Sequence, residues 1–295
     1  MGSTDLHAEI RDFLTTRRAR LSPAEAGLPA YGGNRRVKGL RREEVAMLAG
    51  VSVDYYVRME RGSLAGASES VLDGLGDALR LDEAERAHLA ALAVASGPGS
   101  ARRRRTAPNG VRPGVQQVLD AMTDAPAWVR NGRHDILAMN TLARALYAPV
   151  LADGRRPANT TRFVYLDPAA PDFFVDYDRV ARDAAAMLRM EAGRNPHDPD
   201  LIALVGELST RSETFRRRWA SQDVQFHRSG SKRLRHPVVG QLDLDFESME
   251  LPSAPGLQLN VYTAAAGTPT ADALKLLASW AATQDALPTE AAPAR

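Results

Sequence analysis

The sequence predicts an all-α bundle of five helices followed by an α/β domain in which helices cover a five-stranded antiparallel sheet. Three observations carry this reading. Apolar residues keep a helical period as far as Ala95. A stretch rich in glycine, proline and arginine, from Ser96 to Gly110, then interrupts the pattern. Beyond it, alternating runs such as Gln241-Leu242-Asp243-Leu244-Asp245-Phe246 bring in the period of a strand. The expected boundaries are a first domain over 1–97, a linker over 98–112, a second domain over 113–284 and a flexible tail over 285–295.

In the first domain, Leu6, Ile10, Phe13 and Leu14 recur at helical spacing and predict a helix over 5–19. Ser22-Pro23-Ala24-Glu25 has the form of a capping box with proline at the first helical position, and predicts a short turn of helix. Residues 27–39 hold five glycines and prolines and read as a loop. Val71, Leu72, Leu75 and Leu79 predict a helix after Ser68, and Asp82-Glu83-Ala84-Glu85 caps another that runs to about Ala95.

The most informative stretch is Glu43 to Gly62. Two short helical patterns meet at Ala49-Gly50-Val51-Ser52, a joint that fits a helix-turn-helix. Gly50 suits the left-handed backbone that ends the first helix, and Ser52 is a good N-cap for the second. Val51, Tyr56 and Met59 form the apolar side of that second helix. Val53, Asp54, Tyr55, Val57, Arg58 and Arg61 are left facing outward, on a rod that fits a major groove.

Charge is distributed unevenly along this domain. From Arg17 to Arg42 there are eight basic residues against Glu25 alone, whereas six acidic residues oppose Arg80 over 69–85. A basic side toward phosphate and an acidic side away from it would give this pattern, although charge runs are also commonly solvated faces. Arg35, Arg36 and Lys38 in the loop and Arg102 to Arg105 in the linker carry the same two readings.

In the second domain, Val115, Val118 and Leu119 begin a helix and Pro126-Ala127-Trp128-Val129 a strand. Asn131-Gly132 signals a hairpin turn into the strand Asp135 to Asn140, with a helix from Thr141 to Tyr147. Helices follow over Val180 to Met190, Leu201 to Leu208 and Glu213 to Trp219. Strand character returns at Val224-Gln225-Phe226-His227, Arg233-Leu234-Arg235, Gln241 to Phe246 and Leu257 to Tyr262. Thr268 and Pro269 open a last helix that runs through Trp280.

Two strings carry a family resemblance in the first domain. Lys38-Gly39-Leu40-Arg41-Arg42-Glu43-Glu44-Val45-Ala46 and Gly50-Val51-Ser52-Val53-Asp54-Tyr55-Tyr56 resemble the helix-turn-helix of phage-repressor-like (XRE) regulators and, more narrowly, of MmyB-like regulators. Ala127-Trp128-Val129, Asp135 to Asn140 and Lys232 to Gly240 are similar to the MmyB-like ligand-binding domain, which is PAS-like. The resemblance spans roughly residues 5 to 282. It implies a five-helix repressor-like domain followed by an α/β PAS-like domain, acting as a homodimer on double-stranded DNA under the control of a small, apolar, fatty-acid-like effector.

Carried over residue by residue, the resemblance places Arg42 on a backbone phosphate at the start of the first motif helix. Ser52, Val53, Asp54, Tyr55 and Arg58 take groove-facing positions, with Arg58 as guanine reader and Asp54 as acceptor from a cytosine amine. An Asp54–Arg58 pair along the helix is the competing reading. Arg41 stands where many relatives have a serine or threonine N-cap, so this helix start is capped in another way or pinned by phosphate. Trp128, Met139, Phe163, Met187, Trp219, Phe226 and Tyr262 are the candidates to line an effector cavity or simply to fill core.

Composition bounds the alternatives. The absence of cysteine excludes disulfides and thiolate metal sites. No apolar run reaches the roughly 20 residues that span a bilayer, which suggests a cytoplasmic protein. None of the six histidines sits in a metal pattern, and no nucleophile elbow, phosphate loop or dinucleotide fingerprint occurs. No catalytic residue, metal or cofactor is therefore expected, and His236, before Pro237, is expected to shape a strand corner. Two other classes remain open: an interaction module whose helix-turn-helix contacts protein, and an enzyme fused to a DNA anchor.

Overall fold

The structure, a computed structural model of the 295-residue chain, describes residues 3–29, 37, 39–97 and 110–286. In chain order its elements are α1 (Ser3–Arg20), α2 (Arg42–Leu48), α3 (Val53–Glu60), α4 (Glu69–Ala78), α5 (Glu83–Ser96), α6 (Pro113–Ala121), β1 (Ala127–Asn131) and β2 (Ile136–Met139). Then come α7 (Thr141–Leu146), α8 (Ala148–Leu151), α9 (Thr160–Leu166), α10 (Ala170–Phe173), α11 (Tyr177–Arg194), α12 (Pro199–Arg211) and α13 (Glu213–Ala220). The last described elements are β3 (Ser229–His236), β4 (Gly240–Glu250), β5 (Leu257–Thr263) and α14 (Pro269–Ala286). Two compact units result: a helical unit of 1–106 with 185–226, and a sheet unit of 107–184 with 227–295.

The helical unit closes around Ile10, Phe13, Leu14, Val45, Tyr56, Met59 and Leu75, all fully buried. These are the residues that the helical period places inward, so burial of one stripe per helix supplies the driving force. Side-chain caps set the helix starts: Ser52 Oγ accepts from Tyr55 N, Ser68 Oγ from Val71 N, and Asp82 exchanges bonds with Glu85. Ser22 and Glu25 form their reciprocal bonds too. They close only a turn, because Gly27 takes a left-handed φ of 75° immediately after it.

A second difference lies at residues 224–227, which form no strand. Val224 is buried in the core of the helical unit and Phe226 packs half-buried against it, together with Met190. Alternation in so short a run reports only which side chains are buried, and here the burying surface is helical.

The sheet unit carries five strands in the order β2-β1-β5-β4-β3, every neighbouring pair antiparallel. On one face Ala127, Val129, Leu257 and Val261 pack with Leu119 of α6. The opposite face presents Trp128, Tyr262 and Phe246. Asn140 caps α7 by accepting from Ala143 N, and the same side chain accepts from Ala127 N and donates to the carbonyls of Met122 and Ala125. The β1–β2 connection is not a two-residue Asn-Gly turn. Asn131 and Asp135 close it by mutual hydrogen bonds, and His134, not Gly132, adopts the left-handed backbone, with φ 67°.

Candidate DNA interface and effector site

The helix-turn-helix is built as its residues dictate. Gly50 has φ 67°, and Val51 N donates to Ala46 O across the joint at 3.0 Å. Tyr56 and Met59 of α3 are fully buried, while Ser52, Val53, Asp54 and Arg58 are exposed and Tyr55 is half-buried. Arg58 makes no ion pair with Asp54. Its guanidinium instead lies 4.8 Å from the centroid of the Tyr55 ring, a cation–π contact that holds a long side chain over an outward surface.

The start of α2 resolves the question raised by Arg41. Its backbone N–H donates to the Glu44 carboxylate at 2.6 Å, so the glutamate three residues on caps the helix and leaves the exposed Arg41 side chain outward. Arg42 is about half exposed, its side chain at 48% of full accessibility, and its Nε donates to Glu60 at 3.1 Å. Glu60 is 2% exposed and also accepts from Arg18 at 2.7 Å and from Thr15 at 3.1 Å. Burial pushes the Glu60 carboxyl up, but hydrogen bonds from Arg18 and Arg42 outweigh it and hold the group below its ordinary value. One buried carboxylate thus ties α1, the start of α2 and the end of α3 together, and fixes the stem of Arg42 beside the outward face.

No periodicity in the sequence points to Glu60 as a buried charge. Its only signal is an acidic residue on the apolar stripe of α3, next to Met59. Arg35, Arg36, Lys38 and Arg102 to Arg105 lie outside the described residues.

In the sheet unit four of the seven named residues gather on the face opposite α6. Trp128 meets the Tyr147 ring edge-on at 4.0 Å and Tyr262 at 5.4 Å. Met139 pairs with Trp128 across β1–β2, and Phe163 joins through Phe173, which in turn meets Tyr147. The Tyr147 and Tyr262 hydroxyls share a 2.7 Å hydrogen bond, and burial raises the pKa of both. Trp128 Nε1 is buried without a hydrogen-bond partner.

Basic groups stand on the same face. Lys232 Nζ lies 5.7 Å from the ring centroids of both Phe174 and Phe246, and burial, with Arg130 adding to it, pushes its pKa down to about 8. His227 stacks on Phe246 at 4.2 Å, and burial above all pushes it down to about 2. Fully buried His134 shares a hydrogen bond with Thr161.

The other three named residues belong to the helical unit. Trp219 stacks on Phe215 at 5.4 Å and under Arg189, Phe226 packs on the core, and Met187 is half-buried in α11. An open groove of about 410 Å³ lies on the α6 face, lined by Val115, Val118, Leu251 and Leu259, and none of the seven lines it. His236 is structural: its Nδ1 accepts from Val238 N and its Nε2 donates to Ala145 O, which fixes a neutral ring at the strand corner.

Among the described residues no helix is long and apolar enough to cross a membrane, and no cluster of histidine, aspartate and glutamate could hold a metal. Residues 9–89 match the model of a helix-turn-helix domain, and residues 111–277 match that of the MmyB-like transcription regulator ligand binding domain. No curated protein matches the chain. A helix-turn-helix joined to a ligand-binding domain makes a ligand-responsive transcription regulator. The second match alone covers more than half of the sequence, and the chain belongs to the family of MmyB-like transcription regulators.

Proposed function

We propose that this chain reads a specific DNA sequence through α3, as a homodimer on an inverted repeat, and that a small, largely apolar effector bound in the sheet unit changes its affinity. The observation that carries the DNA reading is Arg58 held over Tyr55 on the outward face of α3, with Arg42 fixed by Glu60 at the start of α2. Arg58 is then the base reader, Arg42 and Arg41 are phosphate contacts, and Ser52, Val53 and Asp54 complete the groove-facing surface. Arg35, Arg36 and Lys38 are assigned to the flanking backbone or minor groove.

The aromatic wall of Trp128, Tyr147, Phe163, Phe173 and Tyr262 supports an effector with an apolar body, and Lys232 supports an acidic head of fatty-acid type. The effector acts by binding one arrangement of the DNA-binding units better than the other. The test is salt-dependent binding to the DNA upstream of the chain's own gene. Tight, sequence-selective binding is expected, with Arg58→Ala weakening it and relaxing the preference at one base pair. Binding that ignores sequence, or a helix-turn-helix that captures only protein, would overturn the reading.

A further inference from the structure

We propose that residues 185–226, although they fall within the stretch matched to the ligand-binding domain, are a working part of the DNA-binding unit, with Arg189 as a positioning residue for α3 that acts through α1. The proposal rests on the DNA reading of α2 and α3 given above.

Composition of the core is the first ground. Met190 and Val224 belong to the same buried core cluster as Leu6, Ile10 and Leu89, and Phe226 packs against that cluster. The fit is close, because a Cβ on Gly193 of α11 would come within 2.5 Å of the His88 ring of α5.

Charge is the second ground. Arg189 is 1% exposed, pairs with Glu9 of α1, donates to Trp219 O, and lies 4.0 Å above the Trp219 ring. Farther along α1, Arg17 donates to Gln222 O, and Arg20 donates to Ser221 O and to Asp223, each at 2.7 Å. The segment therefore grips α1 near both ends. A buried guanidinium that lost its carboxylate would be strongly unfavourable, so α1 and α11 keep this register or the unit opens.

From α1 the line continues to the DNA face. Arg18 holds Glu60 at the end of α3, and Glu60 holds Arg42. The turn after α3 also packs directly on α1, since a Cβ on Gly62 would meet the His7 carbonyl oxygen at 2.5 Å. A displacement of the segment is thus delivered to α1, and α1 sets where α3 and Arg42 lie. Residues 177–184 of α11 belong to the sheet unit and residues 185–194 to the helical unit, so the chain runs from one unit into the other within this helix.

The test is a double-mutant cycle on the whole chain. Arg189→Lys keeps the charge and loses the fork and the stacking, and Asp223→Ser loosens only the rim. Amide exchange is measured over α1, α3 and strands β3 to β5, together with affinity for the upstream DNA, alone and combined with Arg42→Ala. Both variants are expected to speed exchange in α1 and α3 by roughly threefold or more while the strands stay unchanged. Arg189→Lys should also weaken DNA binding about five- to tenfold, and by clearly less when Arg42 is already alanine. A purely structural role would give additive losses. Exchange that changes only within 185–226, or a fully additive cycle, would overturn the proposal. If the wild-type protein binds no DNA, the functional reading falls by itself and the exchange arm still decides whether the segment holds α3.

Discussion

The Arg58 guanidinium lies over the ring of Tyr55, 4.8 Å from its centroid, on the exposed side of α3. A stacked arginine has lost part of its rotamer freedom before DNA arrives, so less entropy is lost when its fork meets a guanine. Arg58→Ala is expected to cost about 1–3 kcal/mol of specific binding and to relax preference at one base pair. Tyr55→Leu keeps the reader and removes the platform, and should cost less, about 0.5–1 kcal/mol. Competition binding against single-base operator variants checks both. Equal losses on specific and random DNA would assign Arg58 to phosphate.

Glu60 predicts the reverse pattern. Glu60→Gln leaves Arg18 and Arg42 without their shared carboxylate, and removal of one partner of a buried pair typically costs about 3–5 kcal/mol. Arg42 is half exposed and can turn to water, so the lower part of that range is expected here. Denaturant midpoints measure the stability loss. DNA affinity, measured where the variant is still folded, should fall for all sequences alike.

How far the sequence foretold this site depends on the kind of interaction. Gly50, Ser52, Tyr56 and Met59 act through local backbone chemistry and helical period, and each stands where those rules place it. Glu60 is not legible in the sequence, because its meaning depends on Arg18 and Thr15, more than forty positions earlier. Trp219, Phe226 and Met187 share with Trp128 only their size and apolarity, and large apolar residues reveal burial but not which surface buries them. The strand expected at 224–227 failed for the same reason, since two alternating apolar residues fit a helical core as well as a sheet. His134 taking the left-handed backbone in place of Gly132 depends on Thr161 and on the Asn131–Asp135 bonds, which are tertiary.

Acid should weaken the fold in two stages. Burial lowers His88, His134 and His227 below the ordinary histidine value, with His227 at about 2, so they stay neutral when folded and take up protons on unfolding. Their contribution is complete above about pH 6.5 and declines as pH falls below it. Glu9 is lowered to about 2: burial opposes ionisation, but His88 and Arg189 outweigh it. Its contribution holds above about pH 4.5 and is lost between there and pH 2. Unfolding free energy measured against pH should bend at both places, and His227→Phe should flatten the first limb. A profile level from pH 7 to pH 5 would show that these rings are hydrated.

The effector reading makes a charge-specific prediction. Lys232→Met keeps the stem against Phe174 and Phe246 but removes the ammonium. Affinity for dodecanoate is expected to fall by about 1.5–3 kcal/mol, the range for a hydrogen bond to a charged group, while affinity for dodecanol is unchanged. Calorimetric titration of both compounds separates a head-group role from general loss of binding to the aromatic face.

Two glycines of the DNA-binding motif predict opposite severities from similar backbones. Gly50 at φ 67° and Gly62 at φ 108° both occupy conformations that disfavour a side chain. Around Gly50 an added Cβ would meet nothing within 4 Å, so Gly50→Ala carries only the backbone cost, about 1 kcal/mol. At Gly62 the same Cβ would stand 2.5 Å from the His7 carbonyl oxygen and 2.7 Å from its Cα, and neither can move without shifting α1. Gly62→Ala must therefore push α1 away from the end of α3, and overpacking of this kind adds about 1–3 kcal/mol to the backbone cost. Thermal unfolding ranks the two variants, and DNA binding separates them further. Gly50→Ala should bind nearly as well as the parent once folded, whereas Gly62→Ala should bind weakly even at temperatures where it is folded, because α1 sets the position of Glu60 and hence of Arg42.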